Sequence, residues 1–371
     1  MGPRASTSTF TPTPRVPDSV PPLPVKGGVR RSSGVMRLNT IDFDLVNAAR
    51  RIVENSLGVV RGERMLIIVD RARHDIAPAL VEVTRNLGAA CELLILEDIE
   101  ARPVREVPAV ISAAMKNAQA SILLVGFVDG EQPMRGDYLE AVRVLGLRHA
   151  HMVGVTKHSM LAGFSVDPAR ILDTTRAVRT RLRSDSVLKV RSLAGTNLTV
   201  KLNPSFRWAE HVGVIRPGRW ENLPSGELMT SPGEISGLFV CDASMGGPFG
   251  QAAGLLTRSP VRFEIEANLV KSVSSSNHAL QRDVESFLRS EHHADRVGTI
   301  VLGTNVGILK PVGELICDQN LPGLHLGLGS TFPDKTGAPS TTRAQLSLTA
   351  AGSDVDLDGA PLLRSGRYMI V

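Results

Sequence analysis

A chain of 371 residues with 42% hydrophobic content can bury a large core, and its length favours two domains over one. Aromatic residues make up only 4%, which argues against a base-stacking nucleic-acid surface, and no apolar run approaches the roughly 18 residues that cross a bilayer. The net charge of +5 is local: within residues 1–38, Arg4, Arg15, Lys26, Arg30, Arg31 and Arg37 face only Asp18, and the rest of the chain is balanced, so charge gives no reason to expect nucleic acid as a partner.

Residues 1–38 are rich in Pro, Ser, Thr and Arg and lack the apolar run of a secretory signal, so a disordered arm is expected there. Cys91, Cys241 and Cys317 are few, scattered and odd in number. That pattern fits a reducing, cytoplasmic compartment and neither a disulfide framework nor a cysteine-based zinc site.

The spacing of Leu45, Ala48, Ala49, Ile52 and Val53 predicts a helix over 41–57, and Met65 to Val69 reads as a strand buried on both faces. A helix over 76–87 should stop at Gly88, followed by a strand at 91–96. Helices over 107–117 and 138–145 and strands over 121–125 and 151–155 continue the alternation, which implies parallel strands joined by right-handed crossovers. Residues 39–185 are therefore expected to form an open parallel α/β domain, closed by a helix near 173–182. No Gly-x-Gly-x-x-Gly follows a strand, so no dinucleotide site is expected.

Beyond residue 186 the texture changes to short alternating segments at 187–193, 198–202, 237–241, 261–266, 324–328, 344–348 and 355–357, broken by Gly, Pro and Asn, with one helix over 279–291. This predicts a mainly antiparallel, barrel-like domain over 186–371, and an α/β class for the whole. The stretch Trp220 to Pro232 attracts particular notice: Pro224, Gly226 and Pro232 bar a regular helix, and a carboxylate, Glu227, stands at its centre. Gly329 to Thr336 superficially matches a phosphate loop, but Asp334 stands where a glycine is required, and its charge would repel a phosphate.

Several stretches together carry a family resemblance: Arg61-Gly62-Glu63, Ala194 to Thr199, Glu221 to Pro232, Gly303-Thr304-Asn305, Pro322-Gly323-Leu324-His325 and Asp358-Gly359. With these the chain from about residue 45 onward resembles the M29 family of metal-dependent aminopeptidases, to which the iron-dependent 2,5-dihydroxypyridine dioxygenases are also similar. The resemblance implies a metal cluster of carboxylates and imidazoles in the second domain, and commonly a dimer. On that pattern Glu227 and His325 fall on family ligands, whereas Thr299 stands for a glutamate and Gln345-Leu346-Ser347 for a His-x-Asp.

A divalent ion usually needs three good protein donors, and hydroxyls and amides are poor ones for Zn²⁺ or Fe²⁺. The expectation is a vestigial, unloaded site at Glu227 and His325, no cofactor, and a cleft that binds a peptide through Asn222, Glu227, Thr299, Asn305, His325, Gln345 and Ser347. Glu227 would suit a free amino terminus, and strand edges would pair with the peptide main chain. The resulting expectation is a non-catalytic peptide-binding protein, a homodimer or a dimer with a related chain, presenting a peptide to tailoring enzymes in peptide natural-product biosynthesis. The alternative is a metal-dependent aminopeptidase or ring-cleaving dioxygenase using Zn, Mn or Fe through displaced ligands. Ser347 and His325 are also considered as a nucleophile and base, a pairing for which the sequence offers no identifiable third group.

Overall fold

Every residue of Met65–Val69 is buried, and the strand splits its side chains between two cores. Met65, Ile67 and Val69 face one layer of helices, while Leu66 and Ile68 face another. This is the centre of the first sheet in the computed structural model, which describes residues 42–249 and 253–369. The arm expected over residues 1–38 lies outside the described residues.

Strands β1 (Arg64–Val69), β2 (Ala90–Ile95), β3 (Ala120–Leu124) and β4 (Arg148–His151) pair in parallel, in the order β2-β1-β3-β4. On one face lie the helix Phe43–Arg50, which continues as π-helix over Arg51–Ser56, and the helices Ala77–Asn86 and Lys157–Gly163. The helices Ala109–Met115 and Gln132–Leu145 cover the other. The helix Ala77–Asn86 ends where expected, with Gly88 at φ 76°. A side chain rarely adopts that left-handed conformation, so glycine is the economical choice there.

The strand expected at 151–155 lies instead at Arg148–His151. His149 and His151 break the apolar pattern, yet both are buried, because hydrogen bonds satisfy their rings: His149 Nδ1 shares one with the Ser121 hydroxyl (2.9 Å), and His149 Nε2 meets His151 Nδ1 (3.3 Å). The helix expected from Tyr138 begins earlier, at Gln132, with proline in its first turn, where a missing amide proton costs nothing.

The second half forms two antiparallel sheets. One runs β12-β11-β10-β6-β5-β16-β17-β18, from β5 (Val187–Arg191), β6 (Asn197–Leu202), β10 (Pro232–Cys241), β11 (Val261–Glu266), β12 (Leu269–Ser275), β16 (Asp354–Leu357), β17 (Ala360–Arg364) and β18 (Arg367–Tyr368). The other runs β15-β14-β13-β9-β7, from β7 (Ala209–His211), β9 (Glu227–Thr230), β13 (Val297–Gly303), β14 (Gly323–Gly329) and β15 (Gln345–Leu348). Between them lies a shared core in which Leu228, Ile300, Leu302, Leu324, Leu326 and Leu348 meet Val190, Val200, Phe239 and Phe263. The mixed class, a parallel α/β sheet followed by antiparallel sheets, is as expected.

The stretch around Glu227 is more structured than a loop. β8 (Arg219–Asn222) pairs in parallel with β4 and becomes the fifth and outermost strand of the first sheet, β9 enters the third sheet, and β10 begins the long strand of the second. The chain thus visits all three sheets between residues 219 and 232, and the parallel sheet takes a strand from beyond residue 185. Among the described residues no helix is long and apolar enough to cross a membrane.

Candidate functional site

Where β8 gives way to β9 the two sheets part and leave a cleft of about 450 Å³. Two outermost strands border it, β8 of the parallel sheet and β7 of the antiparallel one. Asn222 ends β8 and Glu227 opens β9, so the short link between them forms the cleft wall. Asn305 fixes that link: its amide nitrogen donates to the carbonyls of Gly163 and Ser225 (2.9 Å each), and its oxygen accepts from the Gly307 amide (3.1 Å). Gly226, at φ 131°, passes so close that a Cβ would stand 2.8 Å from the Asn305 backbone nitrogen, so no other residue fits.

The polar centre of the cleft is Glu227. Its Oε1 accepts from His211 Nδ1 at 2.6 Å, and His211 Nε2 is 3.3 Å from Lys335 Nζ. An ammonium can only donate, so Nε2 is the acceptor and Nδ1 carries the proton shared with Glu227. Burial pushes the Glu227 carboxyl upward, but the hydrogen bond from His211, with the positive charge of Lys335 behind it, outweighs it and holds the pKa below the usual carboxylate value. Glu221 shifts the other way: burial raises it, although the Gly213 amide (2.8 Å) and the Ser225 hydroxyl (3.1 Å) both donate to its Oε2. Two neighbouring carboxylates thus differ in readiness to hold a negative charge.

Of the residues expected in a ligand site, Asn222 and Glu227 line this cleft. Register places Glu227, Thr299, His325, Gln345 and Ser347 on one face of the third sheet, with Thr299 beside Gly327 and Gly327 beside Ser347. Sharing a face does not give them the same access to solvent. Thr299 and His325 are each only 2% exposed, Ser347 is half-buried and Gln345 is exposed at the far edge strand. Asn305 is fully buried and spends its amide on backbone groups, as above.

His325 is sealed in the same way: Nε2 donates to the Leu321 carbonyl (2.8 Å) and Nδ1 accepts from the Ala350 amide (3.2 Å). Burial depresses its pKa to about 4, against weaker opposing help from Leu321 and Glu227. With both nitrogens committed to backbone, it makes no hydrogen bond to Ser347 and does not form the nucleophile–base pair considered from sequence. His292 and His293 stack on each other away from the cleft, and Asp354, Asp356 and Asp358 hold turns and strand ends through Ser365, Arg364 and Val187.

Sequence reasoning passed over His211, Glu221 and Lys335. β7, which carries His211, is only three residues long and too short to show a period. Lys335 stands on the four-residue helix Pro333–Thr336, in the segment rejected as a phosphate loop. The one available signal was Glu221, already inside the stretch that drew attention.

The sequence matches the 2,5-dihydroxypyridine 5,6-dioxygenase family over residues 44–295, well over half of the chain. The chain belongs to that family. Solved structures with the same fold include the 2,5-dihydroxypyridine dioxygenase of Pseudomonas putida KT2440, at 16% identity and a TM-score of 0.61, covering 88% of this chain and 97% of that one. Wild-type AmpT of Thermus thermophilus is similar at 15% identity and a TM-score of 0.62, covering 88% and 99%. The family match supports the dioxygenase relationship that the motifs implied, and the two structures share the fold. No curated protein matches the chain.

Dioxygenase-family membership brings a metal into consideration, and the donor set can be tested against one. His325 has no lone pair free of a backbone partner, Thr299, Ser347 and Gln345 offer hydroxyls and an amide, and Glu227 is tied to His211. Among the described residues, no three His, Cys, Asp or Glu side chains converge to hold an ion. In this arrangement the family positions do not fit a catalytic metal.

Proposed function

We propose that this family member binds the amino-terminal end of an extended peptide in the cleft between β8 and β7 and does not cleave it. The observation that carries this reading is the juxtaposition of two outermost strands around a cleft that a half-buried carboxylate–imidazole pair lines. An outer strand presents unpaired amide and carbonyl groups, and a peptide laid along it gains main-chain hydrogen bonds, each worth about 0.5–1.5 kcal/mol net. Glu227 supplies the negative charge that an amino terminus requires, and Asn222 lines the same cleft from the end of β8. Presentation of the bound peptide to tailoring enzymes, as an unloaded homodimer or beside a related chain, is the role consistent with such a site.

Calorimetry with a panel of short peptides tests the reading. Saturable binding that weakens about tenfold in Glu227→Gln supports it, and absence of binding by every peptide sinks it. Family membership favours a second reading, metal-dependent hydrolysis or ring opening through ligands other than those aligned above. Metal analysis separates the two: about one equivalent of Zn, Mn or Fe retained through purification, with activity lost in Glu227→Ala, replaces the first reading with the second.

A further inference from the structure

His211 is placed to recognise one chemical group, and that group is already present in the molecule. Its Nδ1 is anchored on Glu227 at 2.6 Å, which turns Nε2 outward as a lone-pair acceptor backed by negative charge. Only 25% of the His211 side chain and 13% of the Glu227 side chain are exposed, so the pair is aimed but partly desolvated. The Nζ of Lys335 stands 3.3 Å from Nε2. Lys335 is exposed, and among the described residues it makes no ion pair with a carboxylate. Its backbone is held independently of its ammonium: the residues around it are fixed by the Thr336 hydroxyl on the Thr331 carbonyl (2.7 Å) and by the Arg207 amide on the Thr336 carbonyl (2.7 Å). The side chain can therefore leave the pair without disturbing the helix that carries it.

We propose that His211 Nε2, backed by Glu227, is a binding site for a primary ammonium, and that Lys335 is its resident occupant, displaced when a ligand ammonium enters. This deepens the peptide reading and rests on it for the identity of the ligand, but the ammonium could equally come from a lysine side chain or a free alkylamine. Three donor protons and a compact charge are what the acceptor and the carboxylate behind it can discriminate; a quaternary ammonium carries the charge without the protons. An internal competitor lowers apparent affinity by the fraction of time it occupies the site, so removing it tightens binding without adding a contact.

Two measurements test this on the full chain. Side-chain ¹⁵N NMR of His211 is followed while butylammonium chloride, or tetramethylammonium chloride as control, is added to the wild type and to Lys335→Met. Butylammonium is expected to shift the Nε2 resonance with half-saturation about tenfold lower in Lys335→Met, and tetramethylammonium is expected to leave it unmoved. Equal effects of the two ions, no shift with either, or unchanged half-saturation in the variant overturn the proposal. Calorimetry then compares an amidated tripeptide that lacks lysine with its N-acetylated form and with an N-acetylated lysine tripeptide. Equal binding of the first two keeps the peptide reading and removes the ammonium site. A butylammonium response without binding of any peptide keeps the site and removes the peptide reading. Binding of the free-amine tripeptide alone assigns the group to an amino terminus, and binding of the acetylated lysine peptide alone assigns it to a side chain; either supports the site.

Discussion

The third sheet holds two histidines in contrasting surroundings. His325 is enclosed, with both ring nitrogens on backbone groups and 2% of its surface exposed, while His211 has a carboxylate on one nitrogen and an exposed lysine on the other. The family resemblance pointed to the first, and the geometry favours the second. The difference teaches that residue identity alone does not say what a ring can do: with both nitrogens on backbone groups it acts as packing, and between ionisable side chains it stays open to polar chemistry.

Removing each ring is the sharpest way to break that contrast. His325→Ala leaves the Leu321 carbonyl and the Ala350 amide unpaired beside a cavity and should cost about 2–4 kcal/mol, read as a lowered denaturation midpoint at unchanged slope. His211→Ala, at a partly exposed position, should cost under about 1 kcal/mol by the same measurement while abolishing ligand binding. Similar stability losses in the two variants would erase the distinction.

Acid titration is expected to report on the enclosed ring as well. His325 and His151 have pKa values depressed by burial from 6.5 to about 4, so between those values the unfolded chain binds protons that the folded one refuses. Stability therefore falls as pH drops from 6.5 toward 4, by on the order of 3 kcal/mol for each ring once pH is below the folded value. Glu227 adds to the trend with a lowered carboxyl pKa: its contribution is present above the unfolded value near 4.5 and is lost as pH falls through the folded one. Chemical denaturation at a series of pH values should show this decline, and His325→Gln should flatten it.

Smaller effects sharpen the open side. Glu227→Gln keeps the shape of the side chain but removes its charge, and should weaken binding of a free-amine peptide about tenfold by calorimetry. Gln345→Ala, at an exposed edge position, should change neither peptide affinity nor stability by more than about 0.5 kcal/mol. A large loss of affinity in that variant would restore Gln345 to the site.

The parallel sheet was legible because Met65–Val69 and Ile122–Leu124 are apolar at successive positions, which a strand buried on both faces requires. β4 was harder to place because His149 and His151 are buried only by virtue of partners contributed from elsewhere, Ser121 among them. β8 and β9 were hidden by the single proline and glycine, Pro224 and Gly226, that lie between them rather than within them. Glu227 was legible as a central carboxylate, but His211 was not, since its meeting with Glu227 depends on the antiparallel pairing of β7 with β9. No local period records such a pairing.

The entry of β8 into the parallel sheet also bears on how the molecule is made. A nascent chain ending near residue 185 would present β4 as an open border, with the amides and carbonyls of Arg148–His151 awaiting the later segment Arg219–Asn222. Truncation there should leave a sticky fragment rather than an autonomous lobe, and the first half would acquire its protected outer edge only after synthesis has moved well into the second.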